Sequence, residues 1–296
     1  MSRARIAAPI TSLTIACLLI AGCSRKSDST PPVATPTLAV SAPEVAIGAP
    51  VDMTFAFAVA PGAPPFADDY TVFVHFLDNG RELLWTDDHQ PPTPTRQWKA
   101  GDTIRYTRTM FVPKLPYTGN ASVEVGLYSP TSGTRLPLAG DDAGMRSYRV
   151  GALKIGNAGS NVFVVFKGGW HAPEVAEGAS GIEWQWSRKE GVVSFRNPKR
   201  DSTVLLQVDQ PVKAFDTPQH VTVRVGDATI DSFSLSTGQM ELRRIAVTAA
   251  QLGDGETADL AIAVDKTFVP AAVPELKSSD ARELGIRVFR VFVQPR

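Results

Sequence analysis

Cysteine is nearly absent from this 296-residue chain: it occurs only at Cys17 and Cys23. No disulfide framework can brace residues 24–296, so their stability must come from packing. Long apolar runs are missing too. The longest stretch, residues 6–20, is broken by Pro9, Thr11, Ser12 and Thr14. It is short of the roughly 20 apolar residues a bilayer span needs. Neither sign of charge dominates, with acidic and basic side chains numbering 30 each. There is no basic patch and no acidic tail, so nucleic acid is not an expected partner. Enzyme signatures are lacking: there is no G-x-S-x-G, no H-E-x-x-H and no Walker loop. The expectation is a protein that is not an enzyme, with no cofactor, no metal and no catalytic residues. Long helical periodicity is also absent, which excludes an all-helical core.

What is present begins at the N-terminus. Arg3 and Arg5 precede the short apolar stretch, and small residues follow it. That order describes a signal peptide, expected over residues 1–22. Its end, Leu19-Ile20-Ala21-Gly22-Cys23, resembles the bacterial lipobox. The resemblance implies cleavage before Cys23 and a diacylglycerol on its thiol. One acyl chain binds a membrane only marginally, whereas two or three on one cysteine anchor stably. Ser24 is not an aspartate, which by resemblance to enteric lipoproteins implies the outer membrane. The expected location is the cell envelope, lipid-anchored and extracytoplasmic. Loss of Arg3 and Arg5 leaves the mature chain at about −2.

Residues 23–36 are rich in Ser, Thr and Pro and read as a flexible tether. A Gly-rich break from Gly151 to Gly156 and on to Ser160 divides the rest. The first half, residues 37–150, alternates with period two. Val51, Met53, Phe55, Phe57 and Val59 share one side; Val123, Val125 and Leu127 share another. About seven strands fit there, close to an immunoglobulin-like sandwich. The second half, residues 160–296, holds about nine: 162–166, 182–186, 192–195, 204–208, 220–225, 229–233, 242–247, 260–264 and 286–293. That number suggests a jelly-roll sandwich. The fold class is therefore all-β, with two β-sandwich domains after a lipoprotein signal peptide.

Few residues suggest chemistry. His75, His89, His171 and His220 stand singly, and a lone histidine is more often structural than catalytic. Asp87-Asp88-His89 could ligate a divalent ion, but its place before Gln90-Pro91-Pro92 favours a polar strand end. Asp141-Asp142 reads as turn residues. Trp184 and Trp186 lie two apart, hence on one face of a strand, and read as core packing. Trp170 follows Gly168-Gly169, which would leave its ring open. Trp170, His171 and Glu174 are the candidate ligand-binding residues. Glu174 with Glu183 would be the pair to examine for hydrolysis. Arg282 and Glu283 are expected to fix the loop before the last strand by paired hydrogen bonds or an ion pair.

Several stretches together resemble a known family. Phe73-Val74-His75-Phe76-Leu77-Asp78 leads into Asp88-His89-Gln90-Pro91-Pro92, then Pro94-Thr95, Trp98 and Gly101-Asp102. Val125-Gly126-Leu127-Tyr128 and Gly133-Thr134-Arg135-Leu136-Pro137-Leu138 follow. This series resembles the small β-sandwich modules appended to bacterial membrane glycosyltransferases of the protein-mannosyltransferase type. The second half resembles another such module, a carbohydrate-binding-like jelly roll. It does so through Gly169-Trp170, Pro173-Glu174, Trp184-Gln185-Trp186, Phe268-Val269-Pro270 and Asp280-Ala281-Arg282-Glu283-Leu284-Gly285. The long multi-helix catalytic part of those enzymes has no counterpart, so transferase activity does not carry over. The resemblance implies a membrane-anchored binding or accessory module near cell-surface glycan. The alternative is an assembly lipoprotein that meets another envelope protein through sheet faces or edges.

Overall fold

The computed structural model describes residues 30–176 and 182–296. The expected signal peptide, Cys23 and the first half of the expected tether lie outside the described residues. Among those described, no helix is long and apolar enough to cross a membrane.

Nine strands build the first sandwich. They are β1 (Ala34–Val40), β2 (Glu44–Ala46), β3 (Pro50–Val59), β4 (Thr71–Leu77), β5 (Leu83–Thr86), β6 (Thr103–Phe111), β7 (Gly119–Tyr128), β8 (Asp141–Gly144) and β9 (Ser147–Gly156). One sheet runs β1-β3-β6 and the facing sheet β2-β9-β7-β4-β5, with β8 on β9. The period-two reading of β3 holds residue by residue: Val51, Met53, Phe55, Phe57 and Val59 are all buried. They meet Val72, Val74 and Phe76 of β4 and Val123, Val125 and Leu127 of β7 in one core. Trp98 joins this core, 5.2 Å from Phe57, and its indole N–H donates to the Thr93 carbonyl at 2.9 Å.

Among the described residues the second sandwich has ten strands. They are β10 (Val164–Phe166), β11 (Glu174–Val175), β12 (Glu183–Trp186), β13 (Glu190–Arg196), β14 (Ser202–Asp209), β15 (Gln219–Val225), β16 (Ala228–Leu235), β17 (Glu241–Val247), β18 (Thr257–Val264) and β19 (Arg287–Pro295). Its sheets run β10-β13-β18-β15-β16 and β11-β12-β19-β14-β17. Val193, Phe195, Val204, Leu206, Val223, Ile262 and Val293 lie between them in a second core. The fold is the all-β pair of sandwiches expected from the sequence, with a short helix, α1 (Ala249–Leu252), at one corner.

Two boundaries shift. Ala34, Thr35 and Pro36 pair with β3 rather than belonging to a tether, because Ala34 is buried with Val33 in the first core. Gly151 to Gly156 does not break the chain. It is the second half of β9, held by Leu153 and Ile155, whose side chains are buried at alternate positions.

Residues 32–296 form one compact unit, because the outer face of the β14-β19 sheet lies against the first sandwich. Leu205 of β14 points away from its own core yet has 0% exposure. Its strand partners are Phe292 and Arg244. Phe292 stacks edge-on to Phe111 of β6 at 6.4 Å. Arg244 pairs with Asp52 of β3 and donates to Thr109 of β6. Asn161 closes one end by donating to the Ile47 carbonyl at 2.8 Å. Lys114 reaches Glu183 at 3.7 Å on another side.

Candidate functional site

The residues singled out from the sequence are engaged by the fold. Gly169 has φ +85°, and a Cβ there would lie 1.9 Å from the Glu190 carbonyl oxygen. The glycine lets the chain press onto β13; it does not open the ring beside it. Trp170 rests on Gly191, where a Cβ would come within 2.4 Å of the indole. Phe166 meets it edge-on at 4.8 Å, and its N–H donates to the Val192 carbonyl at 2.8 Å. One face of its ring is therefore seated on β13, and the side chain is partly buried. His171 Nε2 lies 2.8 Å from the Glu283 carbonyl. A carbonyl only accepts, so Nε2 carries the proton. Glu174 accepts from Arg282 Nη2 at 2.7 Å, and Arg282 also forks onto Asp280. The Asp280 carboxyl is held below its ordinary value, chiefly by the Arg282 hydrogen bonds. Glu283 accepts from Thr267 Oγ1. His171 and Glu174 thus both meet the Asp280–Glu283 loop, His171 through the Glu283 carbonyl and Glu174 through Arg282, whereas Trp170 is seated on β13.

Glu174 and Glu183 do not converge either. Glu174 sits opposite Trp184 and Glu183 opposite Val175, so strand alternation sends the two carboxylates to opposite faces. Of the acidic cluster in the first sandwich, Asp87 holds Arg108 through both oxygens and Asp88 accepts from the Val74 N–H at 3.1 Å. His89 uses both ring nitrogens, on the Asp87 carbonyl and the Tyr106 hydroxyl, each at 2.8 Å.

A different arrangement assembles on the outer face of the β11-β12-β19-β14-β17 sheet. Trp184 and Trp186 do share a face, but it is this outer one. Trp186 is opposite Arg287 and, at 9% exposure, packs on Phe268 and Leu284. The 266–284 segment covers that end of the sheet, and the first sandwich covers the other. Between the two coverings lie Trp184, Arg287, Phe289 and Arg290, all partly exposed. Trp184 and Phe289 are tilted rings 6.0 Å apart. The Arg287 guanidinium sits 5.4 Å from the Trp184 centroid and 5.3 Å from that of Phe289. It is fixed by a two-pronged pair to Asp209, with Nε and Nη2 each at 2.6 Å. The Trp184 indole N–H is buried and makes no hydrogen bond among the described residues.

A β-bulge creates this strip. β14 residue Gln207 pairs with Arg290, and the next residue, Val208, pairs with Val288. Phe289 is the extra residue, so Phe289 and Arg290 emerge on the same side instead of alternating. The sequence carried one sign of it. In Arg287-Val288-Phe289-Arg290-Val291-Phe292-Val293 the buried valines are spaced three apart, then two. Phe111 and Lys114, contributed by the other sandwich, carried no such sign.

No family model matches the chain, and no curated protein matches it. Among solved structures, a family 35 carbohydrate-binding module from an environmental isolate overlaps 45% of this chain and 97% of its own. Its identity is 12% and its TM-score 0.28. The tandem CBM22 domains of Xyn10C from Paenibacillus barcinonensis overlap 88% of this chain and 91% of their own, at 12% identity and TM-score 0.28. An exo-β-1,3-galactanase from Phanerochaete chrysosporium overlaps 87% and 57%, at 13% identity and TM-score 0.29. Overlaps at this level carry no argument about what this chain binds.

Proposed function

We propose that the protein is a non-catalytic binding module of the cell envelope, lipid-anchored at Cys23, that takes glycan on the strip formed by Trp184, Phe289 and Arg287. One observation carries the glycan reading: two partly exposed aromatic rings flank a guanidinium that Asp209 holds in place. Pyranose rings present flat C–H faces that stack on such side chains, and a prepositioned donor meets their hydroxyls without losing rotamer freedom. The anchor reading rests on the lipobox, and the accessory reading on the resemblance to glycosyltransferase-linked modules.

A glycan array with the full chain tests the binding. Phe289→Ala is the first variant, because Phe289 is an extra residue outside the strand register; Trp184→Ala is the second. The expected result is capture of at least one glycan, lost about tenfold or more in both variants, with melting temperature followed alongside. A ligand held equally well by both variants, or no ligand at all, removes the proposal. Clickable fatty-acid labelling of Cys23→Ala tests the anchor. Labelling that survives the substitution removes that part.

A further inference from the structure

Four arginines stand on β17 and β19. Three close on an aspartate: Arg243 on Asp231, Arg244 on Asp52 and Arg287 on Asp209. Among the described residues Arg290 closes on none. Its Nε is buried without a hydrogen bond, and its guanidinium sits 4.6 Å from the Phe111 centroid at the junction of the two sandwiches. Burial pulls its proton affinity below the ordinary value, and Glu183 is the carboxylate that opposes this. Glu183 is itself claimed by Lys114 at 3.7 Å. The neighbourhood of Arg290 and Lys114 therefore has one more positive charge than negative.

A guanidinium that is mostly out of water is ordinarily paired, because desolvating it alone is costly. A π face returns only part of what hydration supplied. The planar fork of arginine fits a carboxylate two-to-two. The bulge puts Arg290 next to Phe289 on the side of the sheet that carries Trp184. A ring that stacks on those aromatics and bears a carboxylate would match both features at once.

We infer that Arg290 anchors the carboxylate of an acidic sugar, a hexuronate unit, on the Trp184–Phe289 strip. This rests on the glycan reading above and narrows it from glycan to acidic glycan. An acidic protein would present the same charge without the flat ring.

The test uses the full chain in detergent micelles and compares matched polymers. Polygalacturonate, alginate and hyaluronan are set against their methyl esters, which keep the rings and remove the charge, with polyglutamate as the acidic non-sugar. Arg290→Gln and Arg290→Lys are titrated beside the unaltered chain, and melting is measured for each. The expected result is preference for at least one free acid over its ester by about tenfold or more. Arg290→Gln abolishes that preference, Arg290→Lys keeps part of it, and the ester binds all three alike. Equal binding of acid and ester overturns the inference while leaving the glycan reading intact. So does a preference that survives Arg290→Gln, or a variant whose only effect is on melting. Polyglutamate bound as tightly as any uronate overturns it in favour of an acidic protein partner. Failure of every polymer, together with an empty neutral-glycan array, takes down both.

Discussion

His89 shows how a single side chain couples the first sandwich to pH. Its Nδ1 faces a backbone carbonyl, Asp87, which can only accept, so Nδ1 holds the proton. A neutral ring then leaves Nε2 as acceptor for the Tyr106 hydroxyl. Phe55 packs on both rings, at 5.2 Å from His89 and 5.5 Å from Tyr106. Burial is the largest influence on His89 and lowers its pKa; Arg108 adds to this, while Asp87 and Asp88 oppose it. Burial also lowers His75 and raises the Tyr106 phenol. A histidine whose folded pKa lies below the unfolded value of about 6.5 makes the unfolded chain the better proton binder between the two values. Its contribution is whole above about pH 6.5 and declines as pH falls toward the folded value. Melting temperature should therefore drop as pH falls below 6.5, before carboxylates titrate. Tyr106→Phe should alter the depth of that drop, and His89→Gln should make it shallower, leaving the part that His75 contributes. A melting profile of the unaltered chain that is level from pH 7.5 to 5 would refute this account.

At the scale of elements, glycines divide into those that carry a close crossing and those that do not. Gly126 in β7 sits opposite Phe73 of β4. A Cβ there would lie 2.3 Å from the Phe73 ring and 2.7 Å from the Arg146 carbonyl oxygen. The ring is pinned from above by the Arg135 guanidinium at 4.3 Å, so it has no easy retreat. Gly151 in β9 would meet nothing within 4 Å. Gly126→Ala should destabilise by about 1–3 kcal/mol or more, as overpacking does. Gly151→Ala should change stability by well under 1 kcal/mol, since neither steric room nor backbone angle opposes it. Denaturant melts of the pair decide it, and equal effects would contradict the crossing. The same contrast explains what was legible beforehand. Alternation in β3 and β7 was readable because every second residue of each strand is an apolar one turned into the same core. The glycines around Trp170 were misread because a close approach from β13, distant in sequence, gives them their role. The outward facing of Trp184 and Trp186 was hidden for a similar reason. A second layer, the 266–284 segment, buries the wrong face of the sheet, so hydrophobicity no longer marks the core side.

At the scale of the whole molecule, the question is how far the two sandwiches depend on each other. Each encloses its own core, and none of the paired strands of one belongs to a sheet of the other. Yet Leu205 is fully buried on the outer face of its sheet between Arg244 and Phe292, and both of these reach the first sandwich. Burying one leucine contributes about 1.5–3 kcal/mol, and Arg244 adds a hydrogen-bonded pair across the junction. The junction is thus a stabilising contact between two sandwiches that each enclose a core. A cut belongs after Gly156, where β9 ends, and before Val164; the earlier position at Gly151 would remove half of a central pairing with β7. Fragments 30–158 and 159–296 should each show a cooperative melt, each at a lower temperature than the intact chain. Mixed, they should reassociate, detected as a mobility shift on size exclusion and a recovered melting temperature. Leu205→Asp in the second fragment should abolish reassociation while its own melt persists, because the side chain faces the partner and not the core. Two unfolded fragments would show that the cores are not independent. Two folded fragments that ignore each other would show that the junction contributes little, and Arg290 and Phe111 would then meet only through the linker.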